Sequence, residues 1–321
     1  MNKKKPFENL SKTKQFADGF NVFDAIKASM RRSKDIKPNE TLPSVKTDLK
    51  NYYTQEPSII WFGHSSYLIH NDGKNILVDP VLSGHASPMS FLIKAFEGTD
   101  IYKIGDMPNI DYLVLTHNHY DHLDYKALKV LGPCVRKMVI PSGVSKDLKG
   151  LSINPKLITE LQWGDSVDLE NGISITSTPA RHFSGRGLVR NHSLWSSYVL
   201  TINKYKIFIG GDSGYDIHFK EIGNTKGPFD IALLECGQYD KLWPEIHSMP
   251  EEVVLEGLEL KAKVILPIHW GKFALANHDW DEPINRFVKE AERQNVDYTT
   301  PMIGEPVVLG ESYPKQRWWV R

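Results

Sequence analysis

Residues 116–124 read Thr-His-Asn-His-Tyr-Asp-His-Leu-Asp, directly behind the apolar run 112–115. A strand that ends in a turn can aim alternate side chains at one point. His117, His119, Asp121 and His122 would bring to that point the imidazole nitrogens and carboxylate oxygen that Zn²⁺ accepts most readily. Four ligand-type residues behind a buried strand are read as a metal site rather than as a solvated polar loop. They are too few for two ions, so a two-metal centre requires further ligands elsewhere in the chain.

The bulk properties set no obstacle to a large enzyme core. The 321 residues are 40% apolar and 24% charged, which suits one large domain with an extension or two small domains. Lys plus Arg equal Asp plus Glu at 39 each, so no overall field draws the chain to nucleic acid, and nucleic acid is not expected as a partner. Cys134 and Cys236 stand in apolar sequence, belong to no CxxC pair and are expected to be free buried thiols in a reducing compartment. No window approaches the 18 or more apolar residues of a membrane span. Residues 1–14 are basic without the apolar segment of a secretory signal, so a cytoplasmic location is expected.

Residues 1–55 read as an extension to a main domain over 56–321. Phe20, Phe23, Ile26 and Met30 fall at helical spacing, with Lys27 and Arg31 beside the stripe. This predicts an amphipathic helix, docked on the main domain or resting on a membrane surface or partner. From Ser58 the pattern changes to short strands at 59–62, 66–69, 75–78, 112–115 and 137–140, with a helix at 125–131. Later strands are predicted at 166–169, 173–176, 197–201, 206–209, 231–234 and 264–267, with helices at 250–260 and 282–293. Two runs of strands with interspersed helices predict two packed sheets covered by helices.

Three later apolar runs each end in a ligand-type residue: His182 after 173–176, Asp212 in a glycine-rich turn after 206–209, and His269 after 264–268. A lone His or Asp at a strand end is commonly a turn residue. Joint occurrence with the first cluster favours a shared metal centre.

The order His117-x-His119-x-Asp121-His122, His182, Asp212, His269 resembles the seven-ligand pattern of the metallo-β-lactamase superfamily. Trp61-Phe62-Gly63-His64-Ser65-Ser66, the run from Pro179 to Arg186 and the run from His269 to Asn277 resemble its N-acylphosphatidylethanolamine-hydrolysing phospholipase D branch. The likeness covers roughly residues 57–310 and implies an α/β fold, the four-layer αβ/βα sandwich. It implies two Zn²⁺, one on His117, His119 and His182 and one on Asp121, His122 and His269, with Asp212 bridging them and a shared hydroxide as nucleophile. The same ligands also suit Fe or Mn. Arg181, Phe183 and Ser213 stand where that branch leads one to expect Gln, Trp and Thr.

Asp121, His64 and His247 are the further candidates for catalysis. The resemblance puts His64 near the metals and has His247 face the substrate, where it can protonate a leaving alkoxide. Asp79, before Pro80, is placed to accept from a ligand imidazole or to cap its strand. Tyr120 and Tyr239 are candidates for lining the cleft. The expected activity is phosphodiester hydrolysis of phospholipase D type on N-acyl phosphatidylethanolamine or a related lipid or small diester. Peripheral membrane contact and oligomerisation are both compatible with the sequence. The competing readings are a lactonase or phosphate-ester hydrolase similar to ascorbate-6-phosphate lactonases, and a scaffold that keeps the fold without turnover. Seven convergent polar groups serve no packing purpose, which argues against the scaffold.

Overall fold

Period-two alternation decides which way each strand faces. The computed structural model describes residues 5–21, 33–170, 172–187 and 189–320. The first half contributes β1 (Ser58–Trp61), β2 (Tyr67–Asn71), β3 (Lys74–Val78), β4 (Tyr112–Val114), β5 (Lys137–Pro141) and β6 (Ile158–Leu161). The second half contributes β7 (Ser166–Asp168), β8 (Ile173–Thr178), β9 (Ser197–Ile202), β10 (Tyr205–Ile209), β11 (Ile231–Glu235), β12 (Ile265–Ile268) and β13 (Pro306–Val308). Ile59, Trp61, Ile69, Ile76, Val78 and Val114 join one core with Ile175, Leu200, Ile207 and Ile209 of the second half. Their alternates Ile60, Leu68, Leu77, Leu113 and Met138 face a separate outer core. Burying each such side chain contributes roughly 1.5–3 kcal/mol.

The strands form two sheets, ordered β13-β1-β2-β3-β4-β5-β6 and β12-β11-β10-β9-β8-β7. Pairing is parallel along β3 to β6 and along β10 to β12, and antiparallel elsewhere. Helix α1 (Tyr125–Leu131) packs Ala127 and Leu128 into the outer core of the first sheet. Asp124 caps its N-terminus and also accepts from the backbone N–H groups of Leu82 and Ser83, at 3.1 and 2.9 Å. On the far side, α2 (His218–Thr225), α3 (Pro250–Glu259) and α4 (Glu282–Gln294) place Phe219, Val253, Ile284 and Phe287 against the second sheet. The result is the expected four-layer αβ/βα sandwich.

Two sheets meeting at one edge fix where chemistry can occur. Val78 pairs with Val114, Ile209 with Leu233, and Glu235 with Ile268, all in parallel. The carboxyl ends of these strands therefore open at the same rim, where crevices of parallel sheets lie. Tyr198 Oη donates across the interface to Leu115 O at 2.9 Å, and Ser196 N to Thr116 O at 2.9 Å.

Three elements were not legible in advance. β6 is half-exposed, β13 is a three-residue edge strand containing Pro306, and α2 carries Gly223, Asn224 and Thr225, all poor helix formers. Their formation rests on tertiary packing, as when Phe219 meets Phe208 at 6.3 Å between ring centroids. The predicted N-terminal helix falls outside the described residues, apart from Phe20. One expectation is corrected: Cys134 is exposed, because it follows α1 at the surface, whereas Cys236 is buried. Both thiols are free, and burial pushes the Cys236 thiol well above its usual range. A thiol reagent is accordingly expected to modify Cys134 in the native protein and Cys236 only on unfolding. Mass spectrometry of peptides after labelling with and without denaturant checks this.

Candidate metal centre

Each ligand-type side chain reaches the rim by a local device. β4 ends at Val114 and delivers Thr116 and His117. β10 ends at Ile209, and Gly211 turns at φ +63°, where a Cβ would stand 3.0 Å from Thr116 Cβ, so the chain can bend inward and present Asp212. His64, Asp79 and His269 adopt left-handed conformations, φ +55°, +41° and +66°. For residues other than glycine such backbone costs of order 1–3 kcal/mol and persists only where the surroundings enforce it. The enforcement is visible: His64 N donates to Trp270 O at 3.0 Å and His269 N donates to His64 O at 2.9 Å, tying the two sheets at the rim.

The ligand-type atoms gather in three groups, of which one, Asp212, Glu235, His247 and His269, shares its Asp212 and His269 with the other two. Of those two, His117, His119, His182 and Asp212 form the first, and His64, Asp121, His122 and His269 the second, all within 4.8 Å of one another in each group. In the first, His119 Nδ1 lies 2.9 Å from His117 Nε2 and 3.2 Å from His182 Nε2. Nitrogens bound at about 2.0–2.1 Å to one tetrahedral ion stand about 3.3 Å apart, so the spacing fits a metal. In the second, His122 Nε2 is 3.6 Å from Asp121 Oδ2 and His64 Nε2 is 3.0 Å from it. Asp212 spans both: Oδ2 is 3.7 Å from His117 and His182, and Oδ1 is 3.2 Å from His122 and His269.

The fit to a cation is tested by the atoms left over. His122 Nε2, His269 Nε2, His64 Nδ1 and Asp212 Oδ1 are buried without a hydrogen-bond partner among the described residues. Such groups cost about 1–3 kcal/mol each when left unmet, a loss that a bound cation offsets. The opposite ring nitrogens are already engaged. His122 Nδ1 meets Asp79 Oδ2 at 2.7 Å, His117 Nδ1 meets Thr116 Oγ1 at 3.0 Å, and His182 Nδ1 donates to Ile246 O at 2.8 Å. His269 differs, since its Nδ1 meets Ser65 Oγ at 2.8 Å and also faces Asp212 Oδ1 at 3.2 Å. These contacts orient the rings, as in metal sites generally. Burial holds the His117, His119 and His269 imidazoles well below their usual pKa, hence neutral and able to ligate. Burial opposes ionisation of Asp212, but His122, whose own pKa is, against its burial, raised well above the usual value by Asp212, Asp121 and Asp79, outweighs it and holds the carboxyl well below the usual range.

Beside the ligands lies a cleft of about 220 Å³ lined by His119, Asp121, His182, Asp212, His247 and His269, with apolar walls from Phe183, Trp243 and Leu275. His247 Nδ1 is 2.6 Å from Glu235 Oε2, while Glu235 Oε1 accepts from the backbone of Ser213 and Ser248 at 2.9 and 3.2 Å. The His247 ring lies over His269 at 5.4 Å between centroids, 17° from parallel. Burial raises the Glu235 carboxyl well above its usual range and lowers the His247 imidazole.

A profile of the beta-lactamase superfamily domain matches residues 74–270, well over half of the chain. The chain belongs to that superfamily. It is 34% identical over 287 residues to an uncharacterised protein of Mycobacterium tuberculosis, spanning 88% of this chain and 77% of that one. It is also 34% identical over 233 residues to N-acyl-phosphatidylethanolamine-hydrolyzing phospholipase D 1 of Caenorhabditis elegans, 68% of this chain and 65% of that protein. Among solved structures, the metallo hydrolase Igni18 of Ignicoccus hospitalis shares the fold, with a TM-score of 0.59 at 20% identity over 80% of this chain and 99% of that one. At the coarse level this is a metal-dependent hydrolase of the beta-lactamase superfamily.

His64, a candidate for catalysis expected near the metals, stands in the second group, 3.0 Å from Asp121 Oδ2. Several other side chains of this superfamily member sit otherwise than the sequence alone suggests. Tyr120 does not line the cleft: its ring packs under Arg186, 3.9 Å from the guanidinium carbon. Tyr239 is drawn away to Glu282 and Arg286 on α4, at 2.9 and 3.2 Å. Glu235 was not singled out, although it too ends an apolar strand, the same signal that marked Asp212 and His269. Lys272 is the other omission. It is 1% exposed, has no carboxylate within ion-pair reach among the described residues, and donates to Phe62 O and Val81 O, both at 3.1 Å.

Those two carbonyls belong to the turns that carry His64 and Asp79, so Lys272 pins both to the turn after His269. Burial lowers its pKa to about 8. The unfolded chain keeps that proton to about 10.4. Between these values unfolding takes up a proton, so stability rises with pH across the window. From about pH 7.5 to 9.5 the wild type is expected to gain about 2 kcal/mol relative to Lys272→Met. Urea unfolding of both proteins measures it, and a pH-independent difference contradicts it.

Proposed function

We propose that this chain is a two-metal phosphodiesterase of phospholipase D type, acting on N-acyl phosphatidylethanolamine or a related diester. The observation that carries the reading is Asp212, one carboxylate with an oxygen toward each of two imidazole groups, at the floor of a cleft that also holds the Glu235–His247 pair. The names of relatives in C. elegans and yeast, both N-acyl-phosphatidylethanolamine-hydrolyzing phospholipases D, support the substrate class. His117, His119 and His182 would hold one metal, Asp121, His122 and His269 the other with His64 beside it, and Asp212 both. Two Zn²⁺, or Fe or Mn, would supply Lewis acidity toward a phosphoryl oxygen and a water nucleophile activated near neutral pH.

The chain's own residues do the rest. Asp79 and Thr116 fix the orientation of His122 and His117, which keeps the ligand set pre-arranged. Asp121, which borders the cleft, accepts the proton released from the attacking water. As the new phosphorus–oxygen bond forms, the bond to the leaving alcohol breaks, and His247 gives its proton to the departing oxygen. Glu235 holds His247 in place and stabilises the ring while it carries that proton. The substrate reaches the cleft from a lipid surface by peripheral contact or as a small soluble diester. Among the described residues no helix is long and apolar enough to cross a membrane.

Two outcomes are expected. His119→Ala and Asp212→Ala lose bound metal, by elemental analysis, together with turnover of N-acyl phosphatidylethanolamine dispersed in detergent. Turnover confined to lactones or phosphate monoesters would instead establish the lactonase-like reading, and no turnover the scaffold. Glu235→Gln and His247→Gln keep their metal but lose about 100-fold or more in kcat on an alkyl diester. They lose far less on a p-nitrophenyl diester, whose leaving group departs without a proton; equal losses on both contradict the general-acid role.

A further inference from the structure

The N-terminal segment, residues 5–21, carries no motif and lies outside the region matched by the superfamily profile, yet it is bound to the rim of the cleft. Asn9 pairs with the main chain of His182 on both sides, donating to His182 O at 2.8 Å and accepting from His182 N at 3.0 Å. Arg181 is one of the three residues that depart from the phospholipase pattern, and its guanidinium turns toward this segment. Nε donates to Thr13 Oγ1 at 3.0 Å, and Nη2 contacts Glu245 Oε2 at 3.0 Å, the same oxygen that accepts from Lys14 N at 2.7 Å. This latch carries the next two residues, Gln15 and Phe16, into the cleft wall.

What they build there has a definite chemical character. Arg190 is the one arginine or lysine among the side chains lining the cleft. Its guanidinium carbon lies 5.0 Å from the Phe183 ring and 5.7 Å from the Phe16 ring, and Nη1 donates to Gln15 Oε1 at 2.6 Å. No carboxylate among the described residues lies within ion-pair reach of it, so its positive charge stays available to a ligand. Phe183 packs in turn on His119 at 4.5 Å between centroids, which places Arg190 one aromatic ring away from the metal ligands. A permanent charge flanked by aromatic faces, with Trp243 and Leu275 completing an apolar wall, matches a ligand that is anionic at one end and apolar along its length.

We infer that residues 7–20 are a built-in wall of the substrate cleft which makes it selective for an anionic amphiphile, its charged group facing Arg190 and its alkyl chain lying along Phe16, Phe183 and Trp243. This rests on the reading that the cleft takes phosphorus oxyanions, and it adds which ones. Binding separates the two claims, because it requires no turnover. Isothermal titration of the full-length, metal-loaded chain with octylphosphonate and ethylphosphonate is expected to show the octyl compound binding about tenfold or more tighter. Phe16→Ala, a partly exposed position, is expected to cut that preference to about threefold or less. Arg190→Gln weakens both phosphonates while the chain-length preference persists. Equal binding of the two compounds, failure of both to bind, or a Phe16→Ala protein that keeps the full preference overturns the inference. A retained preference in a protein that hydrolyses no phosphodiester would leave the wall in place and refute the proposed reaction instead.

Discussion

The structure depends on one buried carboxylate. Asp212 is withdrawn from water where the two sheets meet, a position that penalises its charge, and four imidazoles from three separate segments face it there. Neither half-chain can provide this alone, since Asp212 and His182 come from one sheet and His117 and His122 from the other. Sheet packing and site assembly are therefore one event. The left-handed backbone at His64, Asp79 and His269 is sustained in the same way, by hydrogen bonds that cross from sheet to sheet and by the buried Lys272 amine.

Around this centre the polar groups are arranged in shells with different tasks. Asp79, Thr116 and the Ile246 carbonyl engage the Nδ1 atoms of His122, His117 and His182, so their Nε2 atoms turn toward Asp212, while Ser65 meets His269 at the Nδ1 that itself faces Asp212. Glu235 and His247 form a separate hydrogen-bonded pair on the cleft side. His64 Nδ1, His122 Nε2, Asp212 Oδ1 and His269 Nε2 lie side by side there without a hydrogen-bond partner among the described residues. A packing role would favour apolar groups there; convergence without mutual satisfaction suits a cation. The departures from the phospholipase pattern fall outside this set. Arg181 serves the N-terminal latch, Phe183 shapes the cleft, and Ser213 Oγ accepts from Arg181 N at 2.9 Å.

Much of the architecture was legible because short apolar runs and helix-start residues are local signals. Ile59, Ile60 and Trp61 announce a strand buried on both faces, and Pro250 with Glu251 and Glu252 announces a helix start, since both signals are local. Elements without a local signal stayed hidden. α2 forms from residues that favour turns because Phe219 and Ile222 are captured by the second sheet, and β13 exists only as an edge beside β1. Cys134 shows the reverse error: apolar neighbours in sequence did not imply burial, because the chain at 132–134 leaves the core at the end of α1.

The sequence by itself determined the ligand types and their order, because each stands at the end of an apolar run and strand ends are where buried backbone must emerge. It also pointed to two packed sheets covered by helices, through two runs of short strands with interspersed helices. Only the tertiary structure decided which residues share a site. The pairing of Glu235 with His247, the entry of His64 into the ligand group and the packing of Tyr120 under Arg186 depend on directions that spacing does not encode. The use of residues 7–20 as a cleft wall belongs to the same class. Asn9 lies 173 positions from His182 along the chain, and contacts of that range are specified by shape and hydrogen-bond geometry after folding, not by any pattern within the segment.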